Sequence, residues 1–169
     1  MDSADISIDV SEFRIEKQRA EATLTLTTGS TVTGCFFLST SSASHAGPER
    51  VADLLNGVAG FFPFELHDDT VPYTVLYNRT HIVQVSLIGD MVEPQLAPGY
   101  SLATERAVRV LLSNGNAVKG RVRVYRPNGR DRLSDYARES EMFRYIETAD
   151  GTVIVNADHI VELRETTEA

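Results

Sequence analysis

The feature that most constrains this chain is that its second half repeats its first, block by block and in the same order. Thr28-Gly29-Ser30-Thr31-Val32-Thr33-Gly34 returns as Asn114-Gly115-Asn116-Ala117-Val118-Lys119-Gly120. Arg50-Val51-Ala52-Asp53-Leu54 returns as Arg132-Leu133-Ser134-Asp135-Tyr136, and Phe62-Pro63-Phe64 is echoed by Phe143-Arg144-Tyr145. Val75-Leu76-Tyr77-Asn78-Arg79-Thr80-His81-Ile82-Val83 matches Val153-Ile154-Val155-Asn156-Ala157-Asp158-His159-Ile160-Val161, with five of nine positions identical. The offset shrinks from 86 to 82 to 78 along the chain, so the length changes fall between blocks, where loops absorb them. A chain of 169 residues therefore divides into two units of roughly 70–80 residues each.

Each copy predicts five short strands and one short helix. Residues 22–28 and 106–113 are apolar runs that end at Thr28-Gly29 and Asn114-Gly115, both hairpin signals. The next strands, 31–39 and 117–125, each carry a glycine, Gly34 or Gly120, the mark of a strand that bends sharply. Short helices are predicted at 48–56 and 131–139, with Pro48 suited to a first turn. Strands at 60–67 and 142–148 follow, then turns at Asp68-Asp69 and Asp150-Gly151. The closing pairs are 71–78 with 81–87, and 152–156 with 159–164. This order describes small barrels rather than a parallel sheet. Gly89, Pro94, Pro98 and Gly99 give residues 89–105 the composition of a linker, and Ser39 to Ser44 that of a mobile loop. In the N-terminal extension, residues 1–20, Ile6, Ile8 and Val10 alternate like a strand, while Glu12 to Glu21 also suits a helix.

The pattern resembles the Sm-like (LSm) fold, twice over. Its opening motif is matched by Leu26-Thr27-Thr28-Gly29 with Val32-Thr33-Gly34, and by Leu112-Ser113-Asn114-Gly115 with Val118-Lys119-Gly120. Its closing motif is matched by Leu76 to Val85 and by Ile154 to Leu163. The resemblance implies an all-β protein with short helices: two tandem Sm-like, SH3-like five-stranded bent barrels at 21–88 and 106–166. It also implies rings built by strand-to-strand pairing, with single-stranded RNA in the central hole. The family's base-reading loop follows the second strand directly. Ser39 to Gly47 with a helix, and Arg126 to Arg138, stand in that slot instead, and no residue carries the base-reading role across. The expectation is a non-enzymatic protein acting through assembly as a homo-oligomer, ring or dimer, or through a protein partner. RNA binding is the alternative.

The ligand candidates are Asn78, His81, Asn156 and His159, which recur at equivalent turns. They are either base or ligand contacts, or turn chemistry in which Asn caps and His bonds a nearby backbone group. The anion or partner candidates are Lys119, Arg121, Arg123, Arg126 and Arg130. Lys119, Arg121 and Arg123 alternate, so they share one face of a strand. Residues 106–138 hold nine basic and two acidic residues, a net of +7 within a chain of net charge −8. That face is either an anion-binding surface or a solvated one neutralised by its neighbours. No nucleophile–base set, no phosphate loop and no complete metal-ligand set is visible, so no catalytic residue, metal or cofactor is expected. His67-Asp68-Asp69 reads as a turn. The single cysteine, Cys35, excludes a disulfide framework. No apolar run reaches the length of a membrane span, and Met1-Asp2-Ser3-Ala4-Asp5 has none of the basic or apolar character of a signal peptide. A cytoplasmic location is expected. Among the aromatics Phe61, Phe62, Phe64, Tyr73 and Tyr77, an outward Phe61 would be a partner contact.

Overall fold

The computed structural model describes residues 17–42, 47–57, 60–67, 71–89 and 93–167. Ile6, Ile8, Val10, the 43–46 part of the small-residue loop and the Asp68-Asp69 turn lie outside the described residues. Both copies begin with the same hairpin. Strand β1 (Lys17–Leu26) turns through Gly29, at φ 88°, into β2 (Thr31–Ser39). Strand β6 (Thr104–Leu112) turns through Gly115, also at φ 88°, into β7 (Ala117–Val124). A glycine serves there because side chains resist positive φ. The two turns are closed by equivalent hydrogen bonds, Leu26 N to the Ser30 carbonyl and Leu112 N to the Asn116 carbonyl. The first strands start at Lys17 and Thr104, five and two residues ahead of the expected 22 and 106, so β1 takes in the last residues of the expected N-terminal extension.

Helices α1 (Val51–Gly57) and α2 (Leu133–Ala137) are shorter than expected and begin three and two residues later. Asp53 and Asp135 set both starts, since each accepts the backbone N–H of the arginine just before its helix, Arg50 at 2.9 Å and Arg132 at 3.0 Å. Pro48 precedes α1. The remaining strands are β3 (Phe61–Leu66), β4 (Tyr73–Asn78) and β5 (Ile82–Leu87), then β8 (Phe143–Thr148), β9 (Gly151–Asn156) and β10 (Ile160–Glu165). The protein is thus mostly β, with ten antiparallel strands and two short helices among the described residues. No helix among them is long and apolar enough to cross a membrane.

All ten strands form one sheet in the order β10-β6-β7-β8-β9-β5-β1-β2-β3-β4. The two copies share one internal order: fifth, first, second, third, fourth. They are joined where β5 of the first pairs with β9 of the second, in the register Gln84↔Val155, Val85↔Ile154, Ser86↔Val153. Two cores follow. One is rich in phenylalanine, with Phe36, Phe62 and Phe64 packed around Leu24 and Leu55. The other is rich in valine, with Val108, Val110, Val122 and Val124 around Ile146. The cores interlock, because Phe143 and Ile154 of the second copy enter the first and Val83 of the first copy enters the second. Each buried side chain of this size contributes about 1.5–3 kcal/mol.

Gly34 and Gly120 stand where β2 and β7 pass closest to the strand that follows. A Cβ on Gly34 would be 2.8 Å from the Glu65 carbonyl carbon and 2.9 Å from Phe64 Cε1. One on Gly120 would be 2.7 Å from Ile146 Cγ2. The repeated glycines therefore mark a close backbone approach in both copies.

Candidate functional site

The join between the copies defines what the rest of the surface can do. On its helix side, Asn56 at the end of α1 behaves like a strand residue. It donates from Nδ2 to the Phe143 carbonyl at 3.0 Å and accepts the Phe143 N–H at Oδ1, 2.8 Å. Glu93, from the expected linker, is buried there. Its carboxylate accepts the Val51 N–H of α1 at 2.9 Å and the Tyr145 hydroxyl at 2.8 Å. Burial pushes the Glu93 carboxyl above the usual carboxylate range, against the pull of these two hydrogen bonds. Burial and the adjacent Glu93 push the Tyr145 hydroxyl up as well. Residues 93–105 are thus built into the join through two short 3-10 turns and the start of β6.

On the other side lie the repeated turns. Asn156 is buried, donates to the Ile82 carbonyl at 2.9 Å and accepts the Asp158 N–H at 3.0 Å. His159 bonds Ser113 Oγ through Nδ1 at 2.8 Å and the Thr80 carbonyl through Nε2 at 3.0 Å. Both residues therefore tie the second copy to the first. Their counterparts stand open. Asn78 accepts from Thr80 N and Oγ1, and His81 Nδ1 bonds Thr27 Oγ1 at 2.9 Å, all within the first copy. The four ligand candidates lie along one row of adjacent turns.

Strands β4 and β10 are the two edges of the sheet. By repeat equivalence, β4 corresponds to β9 and β10 to β5, the two strands that pair at the join. Leu76 on β4 is 63% exposed, whereas its counterpart Ile154 is 0% exposed. Val161 on β10 is 67% exposed, whereas its counterpart Val83 is 1% exposed. Phe61 is 61% exposed, whereas Phe143, which holds the same place beside the repeated Asn, is 1% exposed beneath α1. The sequence offered a signal for two of these edge residues, since Leu76 and Val161 repeat Ile154 and Val83, whereas its blocks set Phe143 against Phe62 and only the strand pairing makes Phe61 the counterpart of Phe143. Asn56 and Glu93 gave none, since Asn56 aligns with Arg138 and Glu93 sits in a segment without period.

The basic strand is largely neutralised. Arg121 pairs with Glu105 at 2.6 Å, and Arg123 lies between Glu147 at 3.3 Å and Glu105 at 3.5 Å. The Arg123 guanidinium also sits 3.9 Å from the centroid of the Tyr100 ring. Lys119, Arg126 and Arg130 are exposed. His67 Nε2 lies 3.5 Å from Cys35 Sγ and 3.4 Å from Glu65 Oε1. Burial, with Glu21 and Glu65 nearby, pushes the Cys35 thiol up, away from the reactive thiolate. Among the described residues no three His, Cys, Asp or Glu side chains are grouped to hold a metal. Compared with known proteins, the chain matches no family model, no curated relative and no solved structure.

Proposed function

We propose that this chain is a non-enzymatic protein of two Sm-like barrels that acts by assembling with copies of itself, the β10 edge of one chain pairing with the β4 edge of the next. The carrying observation is the contrast in burial between repeated residues. Leu76, Val161 and Phe61 are exposed where their counterparts Ile154, Val83 and Phe143 are buried by the internal join. A second chain placed as the copies are placed within one chain would cover all three. Unpaired strand edges are templates for such addition. The contact is heterologous, so repetition gives a ring if the rotation closes and a filament if it does not. A cytoplasmic location goes with this reading, since Cys35 is a buried free thiol.

Magnitudes favour a closed assembly. Three large apolar side chains per junction contribute roughly 5–9 kcal/mol in total. That is the size of the association cost, about 4–15 kcal/mol. One junction alone is weak, and closure, which gives every chain two, makes the assembly stable. The test is solution mass by light scattering on the natural chain and on Leu76→Lys. The natural chain is expected as a multimer and the variant as smaller species with an unchanged circular dichroism spectrum. A natural chain that stays monomeric at high micromolar concentration would overturn the proposal.

A further inference from the structure

The turns from Asn78 to His81 and from Asn156 to His159 are built alike. Asn78 and Asn156 sit at φ −78° and −83°, and each accepts through Oδ1 the N–H two residues on, at 3.1 and 3.0 Å. His81 and His159 each bond through Nδ1 the hydroxyl just past their own copy's first strand, Thr27 at 2.9 Å and Ser113 at 2.8 Å. These bonds fix one end of each amide and each ring, so the other ends, Nδ2 and Nε2, leave both turns in the same direction. In the second copy they cross the join. Asn156 Nδ2 donates to the Ile82 carbonyl at 2.9 Å, and His159 Nε2 to the Thr80 carbonyl at 3.0 Å. A carbonyl only accepts, so Nε2 carries the His159 proton there. In the first copy, Asn78 Nδ2 and His81 Nε2 make no hydrogen bond among the described residues. His81 is exposed and Asn78 half-buried, while Asn156 is fully buried. The turn itself needs only the Asn oxygen, which a carboxylate would supply as well.

We infer that Asn78 and His81 form a side-chain clamp for a second copy of this chain. Asn78 Nδ2 donates to the Ile160 carbonyl, and His81 Nε2 to the Asp158 carbonyl, of the chain whose β10 pairs with β4. The acceptors follow from the repeat. The Ile160 N–H closes its turn on the Ala157 carbonyl as the Ile82 N–H does on Arg79, so Asp158 and Ile160 hold the places of Thr80 and Ile82. The inference rests on the edge-to-edge reading and adds a means of selection to it. Apolar contact alone accepts many strands, whereas two donors one turn apart need two matching carbonyls just before β10. A strand slipped by one residue would leave both donors unmade at the interface.

The test compares junction dissociation constants, from sedimentation velocity over a dilution series, for the natural chain, Asn78→Asp and His81→Asn. Both variants keep the bond inside the turn, since the new carboxylate still caps Thr80 and the new amide stands where Nδ1 meets Thr27. Both lose the outward donor. About 1 M sodium chloride, with a Debye length of about 3 Å, screens the added charge. Asn78→Asp should weaken the junction by about tenfold or more, because a carboxylate oxygen then faces a carbonyl, and His81→Asn by about two- to twelvefold. A second measurement leaves both residues intact. With isotope-labelled histidine, the His81 Nε2–H should exchange slowly with water in the natural assembly and rapidly in Leu76→Lys, while His159 behaves alike in both. A natural chain that stays monomeric overturns the assembly and the clamp with it. A natural multimer whose two variants assemble as tightly, or whose His81 exchange is unaltered by Leu76→Lys, overturns the clamp alone.

Discussion

Replacing Gly34 by alanine should damage this protein far more than the same change at Gly57. The added Cβ at Gly34 meets two backbone atoms of Glu65 and the Phe64 ring. The β2 and β3 backbones must separate by roughly 1 Å to restore ordinary contact. That stretch carries the whole β2–β3 ladder, Gly34↔Leu66, Cys35↔Glu65 and Phe36↔Phe64. It also holds the Phe36–Phe64 ring contact, with centroids 5.1 Å apart. Overpacking costs about 1–3 kcal/mol, and each lost ladder bond adds about 1 kcal/mol. A total near 3 kcal/mol lowers Tm by roughly 6–12 °C for a chain of this size. Gly120→Ala should cost somewhat less, since one of its close neighbours is the Ile146 methyl, which can turn aside. Gly57 has open space and no positive φ, and Gly57→Ala should be neutral or stabilising by about 0.4–1 kcal/mol. Thermal unfolding of the three variants checks this ranking. A Gly34→Ala protein within about 2 °C of the natural Tm would refute the close-approach explanation of the repeated glycines.

The join yields three further expectations. Asn56→Asp keeps the acceptor for Phe143 N–H but sets a carboxylate oxygen against the Phe143 carbonyl, and urea unfolding should show a loss of about 1–3 kcal/mol. Glu93 binds its proton more tightly in the native state than in the unfolded chain, where its pKa is the ordinary 4.5. Its contribution is therefore fully present below that value and lost as pH rises through the native one. Relative to Glu93→Gln, the natural chain should lose stability from pH 4.5 upward, and a relative gain would contradict the raised pKa. His159→Ala removes bonds to both Ser113 and Thr80, so it should cost about 1–2 kcal/mol, and more than His81→Ala when the two are compared by unfolding of dilute protein.

Much of the architecture was legible because the duplication gives every element two chances to show itself. Asn114-Gly115 is a clear hairpin turn, and its repeat places the less obvious Thr28-Gly29 beside it. The helix positions were legible from the Arg50/Arg132 and Asp53/Asp135 repeats, but their ends were not, because a side-chain hydrogen bond rather than Pro48 starts α1. The join was not legible. Glu93 lies among Pro94, Pro98 and Gly99, a composition that reads as linker, and only tertiary packing turns its carboxylate into a cap for α1. The neutral state of the basic stripe was half legible. Lys119, Arg121 and Arg123 alternate along β7, but Glu105 and Glu147 reach the two arginines from neighbouring strands. The turn residues also divide, since Asn156 and His159 serve the join while Asn78 and His81 have no second copy to meet.

The pairing of β10 with β4 fixes a register, because the internal join supplies its template. Transferring Gln84↔Val155, Val85↔Ile154 and Ser86↔Val153 to the free edges places Glu162, Leu163 and Arg164 opposite Tyr77, Leu76 and Val75 of the next chain. Leu76 and Leu163 stand on strands at opposite ends of the sheet order, β4 at the edge and β10 at the other, so cysteines there meet only between chains. Facing positions of an antiparallel pair lie within disulfide range, and the buried Cys35 does not compete. A chain carrying both Leu76→Cys and Leu163→Cys should oxidise to a ladder of covalent multimers, while either single variant and a Leu76→Cys/Lys119→Cys control should not. Monomers alone from the double variant under oxidising conditions, or an equal ladder from the control, would contradict the edge-to-edge assembly.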